Sequence, residues 1–147
     1  MRETVDIKAP AARVWAVVQE DAVHAPKWSS NVAKIEKLDG GPPGKGTRYR
    51  YHLDLPGGLK ETLEVEQTVY LKPKRCAGKF IRGPLKGTWS YTYTESKAGG
   101  THVMYEMDYE LGGLLRVLQL PKDHARFVRL GRIPGLLIFG EMLAQLL

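Results

Sequence analysis

The chain has 147 residues, of which 43% are hydrophobic and 26% are charged, and it contains one cysteine. Length and composition of this kind are typical of one soluble domain, which we place at residues 1–147. A single cysteine excludes an intramolecular disulfide and is typical of a reducing compartment. No apolar run approaches the roughly 18 residues that span a bilayer, and the first residues lack the apolar segment of a secretory signal. The sequence therefore predicts a cytoplasmic protein without a membrane-spanning segment.

Within the first thirty residues, the spacing of hydrophobic residues changes from alternation, as in a strand, to helical spacing. Val5 and Ile7 alternate with polar neighbours, which predicts a half-buried strand. Pro10 suits the first position of a helix, because a proline has no N–H to lose there. Apolar residues then follow at helical spacing: Val14, Trp15, Val17 and Val18. Residues 24–29 are predicted to form a short second helix or a turn.

Six more strands are predicted from apolar and polar residues that alternate between turn signals. These strands cover residues 31–38, 47–55, 59–71, 76–81, 88–94 and 101–111. Short connections between them favour an antiparallel sheet. After residue 111, Pro121 and Pro134 predict breaks between three short helical pieces. Residues 136–147 are apolar on nearly every side, which is typical of a helix that is buried or contacts another surface.

Two hairpins have sequences that predict their own register. A hairpin centred on Gly57 places opposite charges across from each other on one face: Arg48 with Glu66, Arg50 with Glu64, and Asp54 with Lys60. Its other face pairs Tyr49 with Val65 and Tyr51 with Leu63. A hairpin centred on Ala98 likewise pairs Trp89 with Met107, Tyr91 with Tyr105, and Tyr93 with Val103. A one-residue slip would destroy each set, so we expect these registers.

A third hairpin is predicted between the strands at 76–81 and 88–94, and its charged residues do not determine the register. A turn over residues 83–86 places Gly78 opposite Tyr91 and Cys76 beside Tyr93. The missing side chain of Gly78 would then leave room next to the tyrosine ring.

The strand that runs through Ala9-Pro10 into a helix with Val14-Trp15, followed by the pair Trp28-Ser29, resembles the opening of the SRPBCC superfamily. This START-like or birch-pollen-allergen-like group includes polyketide cyclases and coenzyme Q-binding proteins. The resemblance covers residues 3–111 well and the remainder in outline. It implies a helix-grip α+β fold, in which a curved antiparallel sheet of about seven strands packs around a C-terminal helix and encloses a cavity.

The tyrosines provide the candidate ligand-binding residues. Six of the seven share the inward phase with a tryptophan, and Tyr70 is the exception. A buried phenol without a partner costs about 1–3 kcal/mol, so six such groups cannot all be buried without hydrogen bonds. They either reach water at the rim of the sheet or line a wet cavity, and we favour the cavity. The predicted ligand-binding residues are Tyr49, Tyr51, Trp89, Tyr91, Tyr93, Tyr105 and Tyr109.

Catalytic and metal-binding patterns are sparse, and no catalytic residue is assigned. The four histidines, at positions 24, 52, 102 and 124, lack metal-ligand spacing. Alternating acids at 106, 108 and 110 are interpreted as solvent-facing residues of a strand. Polyketide cyclases of the superfamily use cavity tyrosines together with an arginine, whereas Arg48 and Arg50 point outward in the predicted register. We expect neither a metal nor a cofactor.

The formal net charge of +6 is concentrated in two basic clusters. The first comprises Lys72, Lys74, Arg75, Lys79, Arg82 and Lys86, and the second comprises Arg116, Lys122, Arg126, Arg129 and Arg132. Nucleic-acid-binding surfaces usually interleave such charges with stacking aromatic residues, and each cluster has only one. We therefore expect solvated faces and no nucleic-acid partner. An anionic membrane surface or an acidic partner stays open.

The favoured hypothesis is binding, or transport, of a small hydrophobic molecule that carries polar groups, such as an aromatic polyketide, a quinone or a lipid. One alternative is a polyketide cyclase or dehydratase that acts on such a molecule. Another is an interaction module, in which the basic clusters and the apolar C-terminal segment dock on a protein or a membrane surface. Formation of a homodimer through that segment also stays open.

Overall fold

A computed structural model describes residues 2–27, 32–55 and 58–112 of the chain. Seven antiparallel strands form one curled sheet in the order β1-β7-β6-β5-β4-β3-β2. The strands are β1 (Arg2–Ile7), β2 (Val32–Lys37), β3 (Arg48–Leu55), β4 (Leu59–Leu71), β5 (Arg75–Arg82), β6 (Leu85–Glu95) and β7 (Thr101–Leu111). The Trp28-Ser29 pair, the second basic cluster and the predicted helices beyond residue 112 lie outside the described residues. The sheet agrees with the predicted architecture.

A helical segment links the two edges of the sheet. Helix α1 (Ala11–Trp15) continues as a π-helical turn (Ala16–Glu20), and a 3-10 turn (Ala22–Lys27) follows. Pro10 is the N-cap of α1 rather than its first helical residue, and its carbonyl accepts the backbone N–H of Val14 at 3.1 Å. Trp15 is fully buried, so this segment anchors itself to the sheet through its apolar face.

The registers predicted for two hairpins are confirmed. In β3 and β4, Arg48 lies opposite Glu66, Arg50 opposite Glu64, and Asp54 opposite Lys60. Each of these pairs forms an ion pair on the outer face, at 3.2, 2.9 and 3.2 Å. In β6 and β7, Trp89 lies opposite Met107, Tyr91 opposite Tyr105, and Tyr93 opposite Val103. Charge on one face and apolar rings on the other therefore specify the alignment.

The register predicted for β5 and β6 is wrong by two residues. Gly78 lies opposite Trp89 rather than Tyr91, and Cys76 lies opposite Tyr91 rather than beside Tyr93. The connection consists of two residues instead of four, because β5 extends to Arg82 and β6 begins at Leu85. Gly83 adopts a φ of +111°, which an L side chain rarely adopts, and this allows the tight turn.

The outer face carries most of the charged side chains of β2 to β5. Three members of the first basic cluster are paired: Lys72 with Glu20, Lys79 with Glu66, and Arg82 with Glu64. His52 contacts Glu36 on β2, and His102 contacts Asp6 on β1. Half of the first cluster therefore contacts acidic side chains, although Glu66 and Glu64 are each shared with an arginine of β3. Within residues 2–27, 32–55 and 58–112, no helix is long and apolar enough to cross a membrane.

Candidate functional site

The inner face of the sheet brings together all seven of the predicted ligand-binding residues. Tyr49, Tyr91, Tyr93 and Tyr105 are buried in the core. Tyr51, Trp89 and Tyr109 are partly buried and pack against it. Their inward orientation follows from the strand registers, because alternate residues of a strand share one face. The predicted residues thus share the inner face of the sheet.

Aromatic rings contact one another across β6 and β7. The Tyr91 and Tyr105 ring centroids are 4.6 Å apart, and Trp89 meets Tyr91 edge-on at 5.9 Å. Tyr91 also stacks on Tyr93, with centroids 6.3 Å apart. These separations lie in the range preferred by aromatic pairs. The result is a wall of rings rather than the leucine and valine packing of an ordinary sheet core.

One phenol of this wall is already bonded within the protein. The side-chain amide of Gln19, in the π-helical turn, donates a hydrogen bond of 2.7 Å to the Tyr93 hydroxyl. Gln19 is itself buried, with 3% of its surface exposed. Tyr93 therefore contributes its ring to the wall, while its hydroxyl ties the helical segment to β6.

Burial keeps the inner-face phenols and the thiol in their neutral forms. Burial raises the pKa of Tyr91, of Tyr105 and of Tyr51 well above the usual value of 10. It also raises the pKa of the Cys76 thiol to about 12, so this cysteine is not an activated thiolate. Neutral phenols donate and accept hydrogen bonds but are poor bases at neutral pH. The inner face is therefore suited to hydrogen bonding rather than to nucleophilic attack.

Tyr70, which the sequence pattern placed outside the inward set, packs against the core. An irregularity in the pairing of β4 with β5, between Gln67 and Val69, inserts one residue into the strand. Such a bulge reverses the phase of every residue that follows it. The Tyr70 ring consequently contacts Trp15 edge-on, with centroids 4.9 Å apart. The prediction for Tyr70 was wrong, because the alternation of inward and outward residues along a strand does not show where a bulge occurs.

Three buried polar atoms of the inner face lack a hydrogen-bond partner within the described part of the chain. They are the hydroxyl of Tyr49, Oε1 of Gln67 and Nε1 of Trp89. Tyr49 and Gln67 are only 2% and 3% exposed. The indole N–H of Trp15 also lacks a well-formed hydrogen bond, but it lies near the hydroxyl of Tyr70, whose pKa is raised by burial and partly lowered by this indole. A buried polar group left unpaired costs about 1–3 kcal/mol, so these atoms require an explanation.

Gln67 is a site residue that the sequence analysis missed. It continues the inward alternation of Leu63 and Val65 on β4, so its strand phase could have identified it. Its backbone N–H donates to the Thr47 carbonyl at 2.9 Å, and its own carbonyl accepts the Gly46 N–H at 2.7 Å. These two hydrogen bonds hold the backbone of Gln67 in register. Its side chain therefore lies on the inner face.

Trp89 reaches across β5 because Gly78 lies opposite it. A Cβ on Gly78 would come within 2.3 Å of the indole carbon Cζ2 and 2.6 Å of Cε2, the carbon bonded to Nε1. The indole therefore lies directly over the glycine. Gly78 in turn lies opposite Gln67, so the ring extends from β6 toward that residue. Glycine here makes room for a ring rather than for a ligand.

Glu3 is a second residue that the sequence analysis missed. It shares the inward phase of Val5 and Ile7 on β1 and lies opposite Tyr105. Burial raises the pKa of its carboxyl group, and the two residues interact electrostatically. Within the described ranges this carboxyl forms no ion pair. Glu3 thus places an ionisable acid beside the aromatic wall.

A metal site would need a cluster of ligands, and the part of the chain that is described contains none. There, no group of three or more histidine, cysteine, aspartate or glutamate side chains could hold a metal ion. Of the alternating acids on β7, Glu106 faces outward and pairs with Arg2 at 2.6 Å.

The sequence profile of the family described as polyketide cyclase / dehydrase and lipid transport matches residues 1–130. The chain belongs to this family. A search of curated proteins finds no significant match. Membership in the polyketide cyclase / dehydrase and lipid transport family confirms the resemblance to the SRPBCC superfamily.

Solved structures share the fold of this family member. The ginseng major latex-like protein 151 from Panax ginseng has a TM-score of 0.74 at 13% identity, covering 100% of this chain and 96% of that one. A START superfamily protein from Mycobacterium smegmatis has a TM-score of 0.75 at 14% identity, with 99% and 95% covered. A protein from Thermus thermophilus has a TM-score of 0.78 at 17% identity, with 99% and 95% covered. These similarities confirm the START-like, helix-grip fold.

Proposed function

We propose that this protein binds a small hydrophobic molecule with one or more polar groups on the inner face of its sheet. Membership in a family of polyketide cyclases, dehydrases and lipid-transport proteins supports hydrophobic ligand binding in general. An aromatic polyketide, a quinone or a lipid would contact Tyr49, Tyr51, Trp89, Tyr91, Tyr93, Tyr105 and Tyr109.

The observation that carries this proposal is the set of three buried polar atoms within the aromatic wall that lack a partner in the described part of the chain. Ligand sites commonly combine a mostly apolar lining with a few polar groups that orient the ligand. A core that served stability alone would favour apolar side chains at the positions of Tyr49, Gln67 and Trp89, because these avoid unpaired polar atoms. A ligand with a polar end would satisfy these atoms.

Native mass spectrometry of the protein purified without detergent tests this proposal. We expect a retained molecule or, after denaturation and refolding, uptake of the neutral probe N-phenyl-1-naphthylamine with increased fluorescence. Trp89→Ala, which removes part of the wall, should weaken uptake, whereas Lys60→Ala on the outer face should not. Absence of both a retained molecule and probe uptake in the folded wild type would overturn the proposal.

Catalysis is a second candidate function. It is favoured by the position of the Glu3 carboxyl group opposite Tyr105 on the inner face. Burial raises the pKa of the Glu3 carboxyl group, which lies beside buried phenols, and a carboxyl group in such surroundings can take part in proton transfer. The Glu3 carboxylate would remove a proton from the carbon next to a ligand carbonyl. A neutral phenol such as Tyr105 would donate a hydrogen bond to the enolate oxygen, and the carboxylic acid would return the proton to carbon.

Deuterium exchange tests this second candidate without requiring the natural substrate. The methyl protons of 2-acetylnaphthalene in D2O are followed by NMR with wild type and with Glu3→Gln. Catalysis predicts exchange above background in wild type and its loss in Glu3→Gln with the affinity for the ketone unchanged. Bound ketone that exchanges only at the background rate would leave binding as the function.

A further inference from the structure

We infer that Tyr49, Gln67 and Trp89 form a polar subsite that recognises a hydroxyl group of the ligand in preference to an ether or a bare carbonyl. This inference rests on the proposed function and specifies the chemistry of the ligand's polar end. The three residues lie on β3, β4 and β6, and each has a buried polar atom with no hydrogen-bond partner among residues 2–27, 32–55 and 58–112.

The registers place these residues next to one another. Gln67 lies opposite Gly78, and Gly78 lies opposite Trp89, so Gln67, Gly78 and Trp89 share one row across the sheet. The absent side chain of Gly78 lets the indole cover the intervening strand. Tyr49 lies opposite Val65, two residues before Gln67 on the same face. The three residues therefore belong to one neighbourhood of the inner face rather than to separate parts of the core.

Hydrogen-bond chemistry determines what this neighbourhood can bind. Trp89 Nε1 only donates, Gln67 Oε1 only accepts, and the Tyr49 hydroxyl does both. A ligand hydroxyl can accept from the indole N–H and donate to the amide oxygen at the same time. An ether or ketone oxygen can accept but has no proton to donate, so it would leave Gln67 Oε1 unpaired. The subsite consequently matches a phenol, an alcohol or an enol.

A set of three naphthalenes tests the inference: 2-naphthol, 2-methoxynaphthalene and 2-methylnaphthalene. The measured quantity is the ratio of the dissociation constants of 2-methoxynaphthalene and 2-naphthol, obtained by titration calorimetry or ligand-observed NMR. We expect this ratio to fall by about 3- to 10-fold in Gln67→Leu, which corresponds to one neutral hydrogen bond. The affinity for 2-methylnaphthalene should be retained.

Leu63→Met is the matched control, because it changes an apolar inner-face residue of the same strand without altering the polar groups. It should leave the ratio unchanged. Tyr49→Phe is the second variant if Gln67→Leu fails to fold, since it keeps the ring and should weaken 2-naphthol binding in particular.

The outcomes separate this inference from the proposed function. A wild type that binds none of the three naphthalenes would overturn the proposed function. Binding with the same ratio in wild type, Gln67→Leu and Tyr49→Phe would overturn the hydroxyl subsite while leaving hydrophobic binding in place. A lower ratio in the two variants alone would support the subsite.

Discussion

Gln19 and Tyr93 are joined by a buried hydrogen bond of 2.7 Å that connects the helical segment to the middle of the sheet. The two residues are 74 positions apart in the chain. In Tyr93→Phe the Gln19 amide would lose its partner inside the core. We expect this variant to lower the free energy of unfolding by about 1–3 kcal/mol, because a buried donor left unpaired costs about that much. Urea denaturation measures the change, and Gln19→Leu combined with Tyr93→Phe should recover part of it.

Tyr49→Phe should behave in the opposite way. The Tyr49 hydroxyl is buried without a partner in the described part of the chain, so its removal eliminates a desolvation cost. We expect the free energy of unfolding of ligand-free protein to rise, or to fall by less than about 0.5 kcal/mol. The same denaturation experiment checks this. A loss comparable to that of Tyr93→Phe would show that the Tyr49 hydroxyl is bonded within the protein.

Gly78→Ala tests the packing of the indole over β5. The new Cβ would meet Trp89 at 2.3 Å and the Glu66 carbonyl oxygen at 2.5 Å, so both ring and backbone would have to move. We expect a loss of about 1–3 kcal/mol in the free energy of unfolding, typical of overpacking, and a change in tryptophan fluorescence. Gly44→Ala is the matched control, because nothing lies within 4 Å of its Cβ position. Equal stability of both variants would contradict the described indole position.

The ion pairs on the outer face should differ in strength according to their burial. Two nitrogens of Arg50, Nε and Nη2, donate to Oε1 of Glu64 at 3.0 and 2.9 Å. The Glu64 side chain is only 11% exposed, whereas Lys60 and Asp54 are 81% and 48% exposed. Double-mutant cycles should give a coupling of about 0.5–1 kcal/mol for Arg50 with Glu64 and about 0.2–0.5 kcal/mol for Lys60 with Asp54. Equal couplings would contradict this ranking.

The carboxyl group of Glu36 should make the free energy of unfolding depend on pH. A hydrogen bond from Lys34, and a second one from His52, lower the pKa of its carboxyl group from 4.5 to about 2. A carboxyl whose pKa is lower in the folded state stabilises the protein above its unfolded pKa. That contribution is lost as the pH falls from 4.5 toward 2. Urea denaturation across this range should therefore show a shallower loss of stability in Glu36→Gln than in wild type.

Much of the fold could be predicted from the sequence because charge and hydrophobicity alternate in phase. The pairing of Arg50 with Glu64, for example, follows from two strands that each carry charges on one face and apolar residues on the other. The first and last residues of β4 and β7 were predicted correctly for the same reason. The β5–β6 register was not, since its strands offer few charged pairs and a two-residue turn at Gly83 resembles the start of a longer one.

The candidate site was predictable only in its aromatic part. Six tyrosines can be identified as inward-facing from their positions in alternating strands. Tyr70 cannot, because a bulge in β4 turns it toward the core. Gln67 and Glu3 were overlooked because polar residues at inward positions look like breaks in a pattern. Whether a polar atom is paired depends on neighbours from distant strands, and a linear sequence does not contain that geometry.

The strand order has a consequence for how this protein is made. β1 (Arg2–Ile7) is synthesised before the other six strands, yet its neighbour in the sheet is β7 (Thr101–Leu111), which is synthesised about a hundred residues later. Until then β1 lacks its partner in the sheet, and pairing the two strands requires closing a very long loop. During translation the hairpins from β3 to β6 can form as they emerge, whereas β1 can pair only after β7 has been synthesised.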